Sequence, residues 1–200
     1  MDCSIIITNY NYGKYLSRCI RSAINQNFAR ESFEVLVVDD NSSKKDNSMQ
    51  ILNELSNNIK VIRNDKNMGL VKSCNMAVKM VSGTYTYFLD ADDYLNENAL
   101  LIPYLFLVNN KNHINACSCD YLEIDENENI LQRRNGNAYP IRCGIMFKTD
   151  DMLKFGLYLD VPREDIDLRN RFTKSGKFIY NISIPLYRYQ QHGSSLTKNL

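Results

Sequence analysis

The chain has no apolar run able to cross a bilayer. Its longest, Ala99 to Val108, is ten residues and contains Pro103 and Tyr104, against the roughly 20 that a span requires. Charge of one sign is missing as well. The 24 Lys plus Arg stand against 23 Asp plus Glu, a formal net charge of +1, which creates no field for nucleic acid or an anionic membrane. The six cysteines form no C-x-x-C pair. A chain of 200 residues with 44% apolar side chains buries a core of its own without disulfide staples, so these cysteines are expected to be small buried apolar residues. Cys117 and Cys119 with His113 could be read as a partial zinc set, but a C-x-C on a strand offers two ligands at most, and the ordinary reading is preferred. Met1 to Tyr10 carries no basic leader region and runs straight into Ile5, Ile6 and Ile7. That is a first strand and not a secretion signal, which puts the protein in the cytoplasm.

Glycine loops for phosphate are also lacking. Neither G-x-G-x-x-G nor G-x-x-x-x-G-K-[ST] occurs among the eight glycines, which removes the usual dinucleotide fold and the P-loop. If phosphate is bound, something other than a glycine cradle must neutralise it.

What is present is an ordered alternation. Ile5 to Ile7 and Val35 to Val38 are short continuous apolar runs, the pattern of strands covered on both faces in a parallel sheet. Between them Leu16, Cys19, Ile20, Ala23 and Ile24 recur at helical spacing. A helix over Ser48 to Ser56, a strand over Lys60 to Arg63, a helix facing inward through Leu70, Cys74, Ala77, Val78 and Val81, and a strand from Tyr85 to Leu89 introduced by Gly83 continue the pattern. Alternation of this kind implies an open α/β sheet. Beyond Asp93 the reading gives an all-round apolar helix from Ala99 to Val108, strands over Ala116 to Ile124 and Ile130 to Arg133, a helix from Glu164 to Lys174 and a last strand from Ile182 to Tyr189. No linker or internal repeat interrupts the chain, so residues 1–200 form one domain.

The first four strands end in Thr8-Asn9-Tyr10-Asn11, Asp39-Asp40-Asn41-Ser42, Arg63-Asn64-Asp65 and Asp90-Ala91-Asp92-Asp93. Acidic residues therefore collect on one rim of the sheet. So many like charges are unfavourable together unless a cation lies among them, and Mg²⁺ or Mn²⁺ bridged to a diphosphate is the usual resolution. The plainer alternative is that Asp92 or Asn96 caps a helix starting near Glu97 and that Asp39 or Asp40 shapes a turn.

These segments together resemble a family. Ser4 to Asn11, Val37 to Ser43, Asn67-Met68-Gly69-Leu70 with Asn75, and Phe88 to Asp93 are similar, in order and spacing, to the signatures of family-two inverting glycosyltransferases of GT-A fold. Glu164-Asp165 with Leu168 and Arg171, and His192-Gly193-Ser194-Ser195-Leu196-Thr197, resemble that family's later motifs. The resemblance implies a single GT-A type domain: a Rossmann-like, mostly parallel open sheet flanked by helices, with a smaller mixed carboxyl-terminal part. Residues 1–95 would bind the nucleotide, and residues 96–200 would hold the acceptor and the catalytic base.

The same resemblance implies roles. Thr8 and Tyr10 would line the base pocket, Tyr10 by stacking; Asp40 would accept from the base imide, a contact suited to uracil; Asp90 would sit by the ribose. Asp92 would bind Mn²⁺ or Mg²⁺, with Asp93 sharing or taking that role. Lys72, His192 and Ser194 are candidates for diphosphate contact. The implied reaction moves a sugar from a nucleoside diphosphate sugar, UDP-linked by preference, to a hydroxyl of a glycan or lipid-linked glycan. An acceptor hydroxyl needs a general base, and Asp165 is that candidate, because on the helix it falls between Leu168 and Phe172 and so turns toward the packed side and the cleft. Its alternative is a first-turn carboxylate paired with Arg169. Asn41 stands where the family often has Gly, a change that a left-handed backbone tolerates, and Asp46 is displaced from the family's next acid. The chain ends soon after the His-Gly-Ser-Ser segment, so acceptor choice is expected between Ala116 and Arg163. No transmembrane segment is expected, which leaves peripheral contact at the inner membrane face open. Two other functions compete: a nucleotidyltransferase making an activated sugar, and a non-catalytic nucleotide-sugar binding module.

Overall fold

The computed structural model describes residues 1–193. One mixed sheet runs through it. Strands β1 (Cys3–Asn9), β2 (Phe33–Asp39), β3 (Lys60–Arg63) and β4 (Tyr85–Asp90) are parallel, in spatial order β3-β2-β1-β4. Helices α1 (Gly13–Ile24), α2 (Ser48–Leu55) and α3 (Leu70–Met80) are the crossovers between them. Leu16, Cys19, Ile20 and Ala23 of α1 and Cys74, Ala77 and Val78 of α3 are buried, as the helical spacing demands. All seven residues of β2 are buried too, which is why the run Val35 to Val38 shows no polar alternation.

The second half extends the same sheet. Strand β5 (Tyr94–Leu95) and helix α4 (Leu101–Asn109) precede β6 (Ala116–Ile124), β7 (Ile130–Arg134), β8 (Ile145–Lys148), α5 (Thr149–Lys154), α6 (Glu164–Lys174) and β9 (Ile179–Gln190). From β4 the sheet continues β8-β6-β9-β5, with β7 paired to β6 off this path. Strand β8 is antiparallel to β4 and to β6, so it is the seam between the two halves.

The expected single α/β domain is present, with three differences. β5, β8 and α5 are short elements with no period long enough to read. The helix placed at Ala99 to Val108 starts at Leu101, after a turn in which Asn96 accepts from the backbone of Asn98 and Ala99; it is not buried all round, since Leu105 and Val108 face solvent. All six cysteines are buried, Cys117 and Cys119 within β6, and among the described residues neither belongs to a group of three His, Cys, Asp or Glu side chains that could hold a metal ion. No helix among the described residues is long and apolar enough to cross a membrane.

Candidate active site

The carboxyl ends of β1, β2 and β4 open into a cavity of ≈ 410 Å³, within the range of small-ligand sites. Thr8, Tyr10, Asp40, Asp90, Asp92, Asp93 and Asp165 all line it. Thr8 Oγ1 is buried there. Tyr10 is 45% exposed at the mouth, a ring available for stacking.

Each rim carboxylate has its own protein partners. Asp39 is buried and accepts from Asn9 Nδ2 at 2.8 Å and from the Ser42 backbone at 3.1 Å, with Arg63 Nε at 3.6 Å. Asp40 Oδ1 accepts from Asn64 Nδ2 at 2.7 Å and Met68 N at 2.8 Å, and its Oδ2 accepts from Gly69 N at 2.8 Å. A carboxylate offers about four acceptor positions, so Oδ2 keeps one for a ligand while the rest hold the Asn67–Gly69 turn against the cavity. Asp90 is ion-paired with Arg142. Asp93 is buried, with Oδ2 accepting from the Tyr187 hydroxyl at 2.6 Å and Oδ1 from Gln190 N at 2.8 Å. Burial and the neighbouring Asp92 push its carboxyl well above the usual carboxylate range, against the opposing Tyr187 and Gln190 bonds.

Part of the rim's negative charge is met by the protein itself. The acidic rim is compensated by hydrogen bonds and two arginines, and among the described residues no three His, Cys, Asp or Glu side chains converge as a metal-binding group. Asp92 differs from its neighbours. Its side chain is 18% exposed into the cavity, and the structure pairs it with His192 Nε2 at 2.9 Å. His192 is buried and stacks on Tyr15, ring centroids 4.7 Å apart. The histidine expected at the diphosphate thus meets the metal candidate directly, whereas Asp93 is buried and each of its oxygens already accepts one bond from β9.

Lys72 is not brought to the site. It is exposed in the first turn of α3 and absent from the cavity wall, because the inward stripe of that helix belongs to Ser73, Cys74 and Ala77. Ser194 lies outside the described residues. Asp46 accepts from Gly13 N at 3.2 Å and Ser48 N at 2.9 Å, a loop-tying role remote from the lining. Asn41 does adopt a left-handed backbone, φ 65°.

Asp165 enters the cavity from the first turn of α6, with its side chain 13% exposed. Its ion pair is with Arg163 Nε at 3.7 Å. The i+4 partner considered from sequence, Arg169, instead donates from Nη2 to Asn137 Oδ1 at 2.8 Å. Burial pulls the Arg169 guanidinium below its ordinary value and the Asp165 charge opposes this, so the two interact through space. Asp167 turns away and pairs with Arg171 Nε at 2.7 Å. Arg142, Arg163 and Tyr187 are the site residues that sequence reasoning missed. Arg142 and Arg163 lie in or at the end of the stretch without readable periodicity, and a single inward arginine leaves no spacing signal.

A family model described as Glycosyl transferase family 2 matches residues 4–166. The poly(ribitol-phosphate) beta-glucosyltransferase of Bacillus spizizenii is 37% identical over 118 residues, which are 57% of this chain and 18% of that protein. A Haemophilus influenzae protein described as an uncharacterized glycosyltransferase is 28% identical over 197 residues, 91% of this chain and 56% of its own. Among solved structures, Staphylococcus aureus TarS in complex with UDP-GlcNAc matches with a TM-score of 0.85 at 22% identity, over 100% of this chain and 61% of that one. A mannosyltransferase from Pyrobaculum calidifontis in complex with GDP-Man and Mn²⁺ matches at 0.78 and 15% identity, over 96% and 58%. The chain spans less than two thirds of each of these proteins. These likenesses identify the fold as GT-A.

Proposed function

Because the chain belongs to glycosyl transferase family 2, we propose that it is a metal-dependent inverting glycosyltransferase, moving a sugar from a UDP-linked donor to a hydroxyl of a glycan or lipid-linked glycan in the cytoplasm. The observation that carries this reading is the shared cavity, which Tyr10, Asp40, Asp90, Asp92 and Asp165 line together. The base ring stacks on Tyr10 and its imide N–H meets the remaining acceptor position of Asp40. Asp90 accepts from a ribose hydroxyl. Asp92, with His192, would hold a divalent ion, since Mg²⁺ and Mn²⁺ sites of this kind need only one or two carboxylates. The ion would offset charge growing on the departing diphosphate. Asp165 takes the acceptor proton while the acceptor oxygen bonds to the anomeric carbon. The bond from that carbon to the diphosphate oxygen breaks, and its electron pair leaves with UDP.

The donor nucleotide is supported by the UDP-GlcNAc complex of TarS, and the ion by the Mn²⁺ complex of the mannosyltransferase. The nucleotidyltransferase alternative needs a basic loop after β1 for a triphosphate. Here Lys14, the one cation in that stretch, pairs with Glu126 at 2.9 Å and does not line the cavity. The test is UDP release from a panel of UDP-sugars with Mn²⁺ and candidate acceptors. Acceptor-dependent release supports transfer. Pyrophosphate release from a nucleoside triphosphate plus a sugar phosphate overturns it in favour of nucleotidyl transfer, and nucleotide-sugar binding without release under any acceptor leaves only a binding module.

A further inference from the structure

Arg142 is a buried cation at the cavity wall that the proposed chemistry leaves unused. It is 8% exposed in the segment just before β8, yet it reaches across the seam into the nucleotide half. One guanidinium nitrogen pairs with Asp90 at the end of β4, and Nη1 lies 3.0 Å from Cys74 Sγ on α3. Asp90 is 30% exposed, and both it and Arg142 line the cavity. A carboxylate on a strand terminus with that much freedom has several rotamers, and a buried arginine anchored on a second element removes them. Held this way, Asp90 is oriented by Arg142 at the wall of the cavity, where a carboxylate oxygen can accept a hydrogen bond from a hydroxyl.

We infer that Arg142 is a positioning residue that fixes Asp90 as a hydroxyl acceptor and thereby sets a preference for ribonucleotides over their 2′- and 3′-deoxy counterparts. The inference rests on the reading of Asp90 as the ribose contact. If Arg142 acts through Asp90, its loss should affect ligands that have the hydroxyl and spare those that lack it. A single charge-assisted hydrogen bond corresponds to roughly tenfold or more in affinity.

The experiment measures dissociation constants of UDP, 2′-deoxy-UDP and 3′-deoxy-UDP with Mn²⁺, by calorimetry, for the wild type, Arg142→Gln and Arg142→Lys. The wild type is expected to bind UDP about tenfold more tightly than at least one deoxy analogue. In Arg142→Gln that ratio falls toward one because UDP binding weakens while the deoxy analogue is unaffected, and Arg142→Lys, which keeps a cation beside Asp90, restores part of it. A ratio unchanged in Arg142→Gln, or equal weakening of all three ligands, overturns the inference. So does a wild type that binds UDP and both deoxy analogues alike, a result that needs no variant to fold. A wild type that binds no nucleotide at all fails the functional proposal instead.

Discussion

Two carboxylates show how much a single side chain depends on what surrounds it. Glu34 is buried on β2, where its Oε1 accepts from Ser4 Oγ at 2.7 Å, Ser82 N at 2.6 Å and Ser82 Oγ at 2.8 Å, and its Oε2 from Lys60 Nζ at 2.6 Å. Burial opposes ionisation, but the Lys60 and Ser82 bonds outweigh it and lower the carboxyl from 4.5 to about 2. A depressed folded value means that the contribution is complete above the unfolded value and lost as pH falls through the folded one. Glu34→Gln is therefore expected to cost about 1–2 kcal/mol near neutrality, allowing for the solvent-screened Lys60. The gap between variant and wild type should close as pH drops from 4.5 toward about 2; urea midpoints across that window would show it, and a gap independent of pH would contradict it. Asp165 makes a different demand, since nothing in its partners stands in for a proton acceptor. Asp165→Asn keeps the shape and removes the basicity. Transfer should fall by about 10²–10⁴ while Mn²⁺-dependent UDP affinity stays within about twofold, as the proposed role puts the side chain against the acceptor and not the nucleotide; undiminished transfer would remove Asp165 from the proposed mechanism.

Elements were legible where they are long and have a dominant period. β1 and β2 are continuous apolar runs because helices cover both faces, and α1 and α3 carry one buried stripe each. β8 has four residues and β5 two, too few for any period, and their existence follows from edges offered by β4, β6 and β9. The site was legible on the parallel half, where strand ends announce it. It was less so beyond: Arg142 pairs with Asp90 across the seam, and the bonds of Asp93 depend on Tyr187 and Gln190 of β9, nearly a hundred residues later in the chain. The start of β4 shows a constraint that composition alone hides. A Cβ at Gly83 would lie 2.6 Å from Cys3 C and Ser4 N and 2.5 Å from Ser4 Oγ, so side-chain adjustment cannot relieve it. Gly83→Ala should destabilise by about 1–3 kcal/mol through forced separation of β1 from the turn into β4. An alanine variant as stable as wild type in a denaturant titration would show that this junction yields without cost.

Across the whole molecule, the cavity has more fixed negative charge than positive, and protein donors neutralise most of it before any ligand arrives. That arrangement has a thermodynamic consequence for the proposed ion. With Asp39, Asp40, Asp90 and Asp93 each bonded to other protein groups, Asp92 and His192 would supply few ligands, and a hard divalent ion would have to draw the others from water and diphosphate oxygens. Metal and nucleotide then share one site, so each should raise the other's affinity by the same factor. Mn²⁺ alone and UDP alone should each shift thermal unfolding slightly, and the two together by more than the sum, a coupling of about 1–3 kcal/mol. In Asp92→Asn the excess should vanish, leaving only the separate effects, because the protein's charged hold on the ion is lost while the base and ribose contacts remain. If Mn²⁺ stabilised the wild type as strongly without UDP as with it, the ion would have a complete protein cage elsewhere, and Asp92 would lose its assigned part.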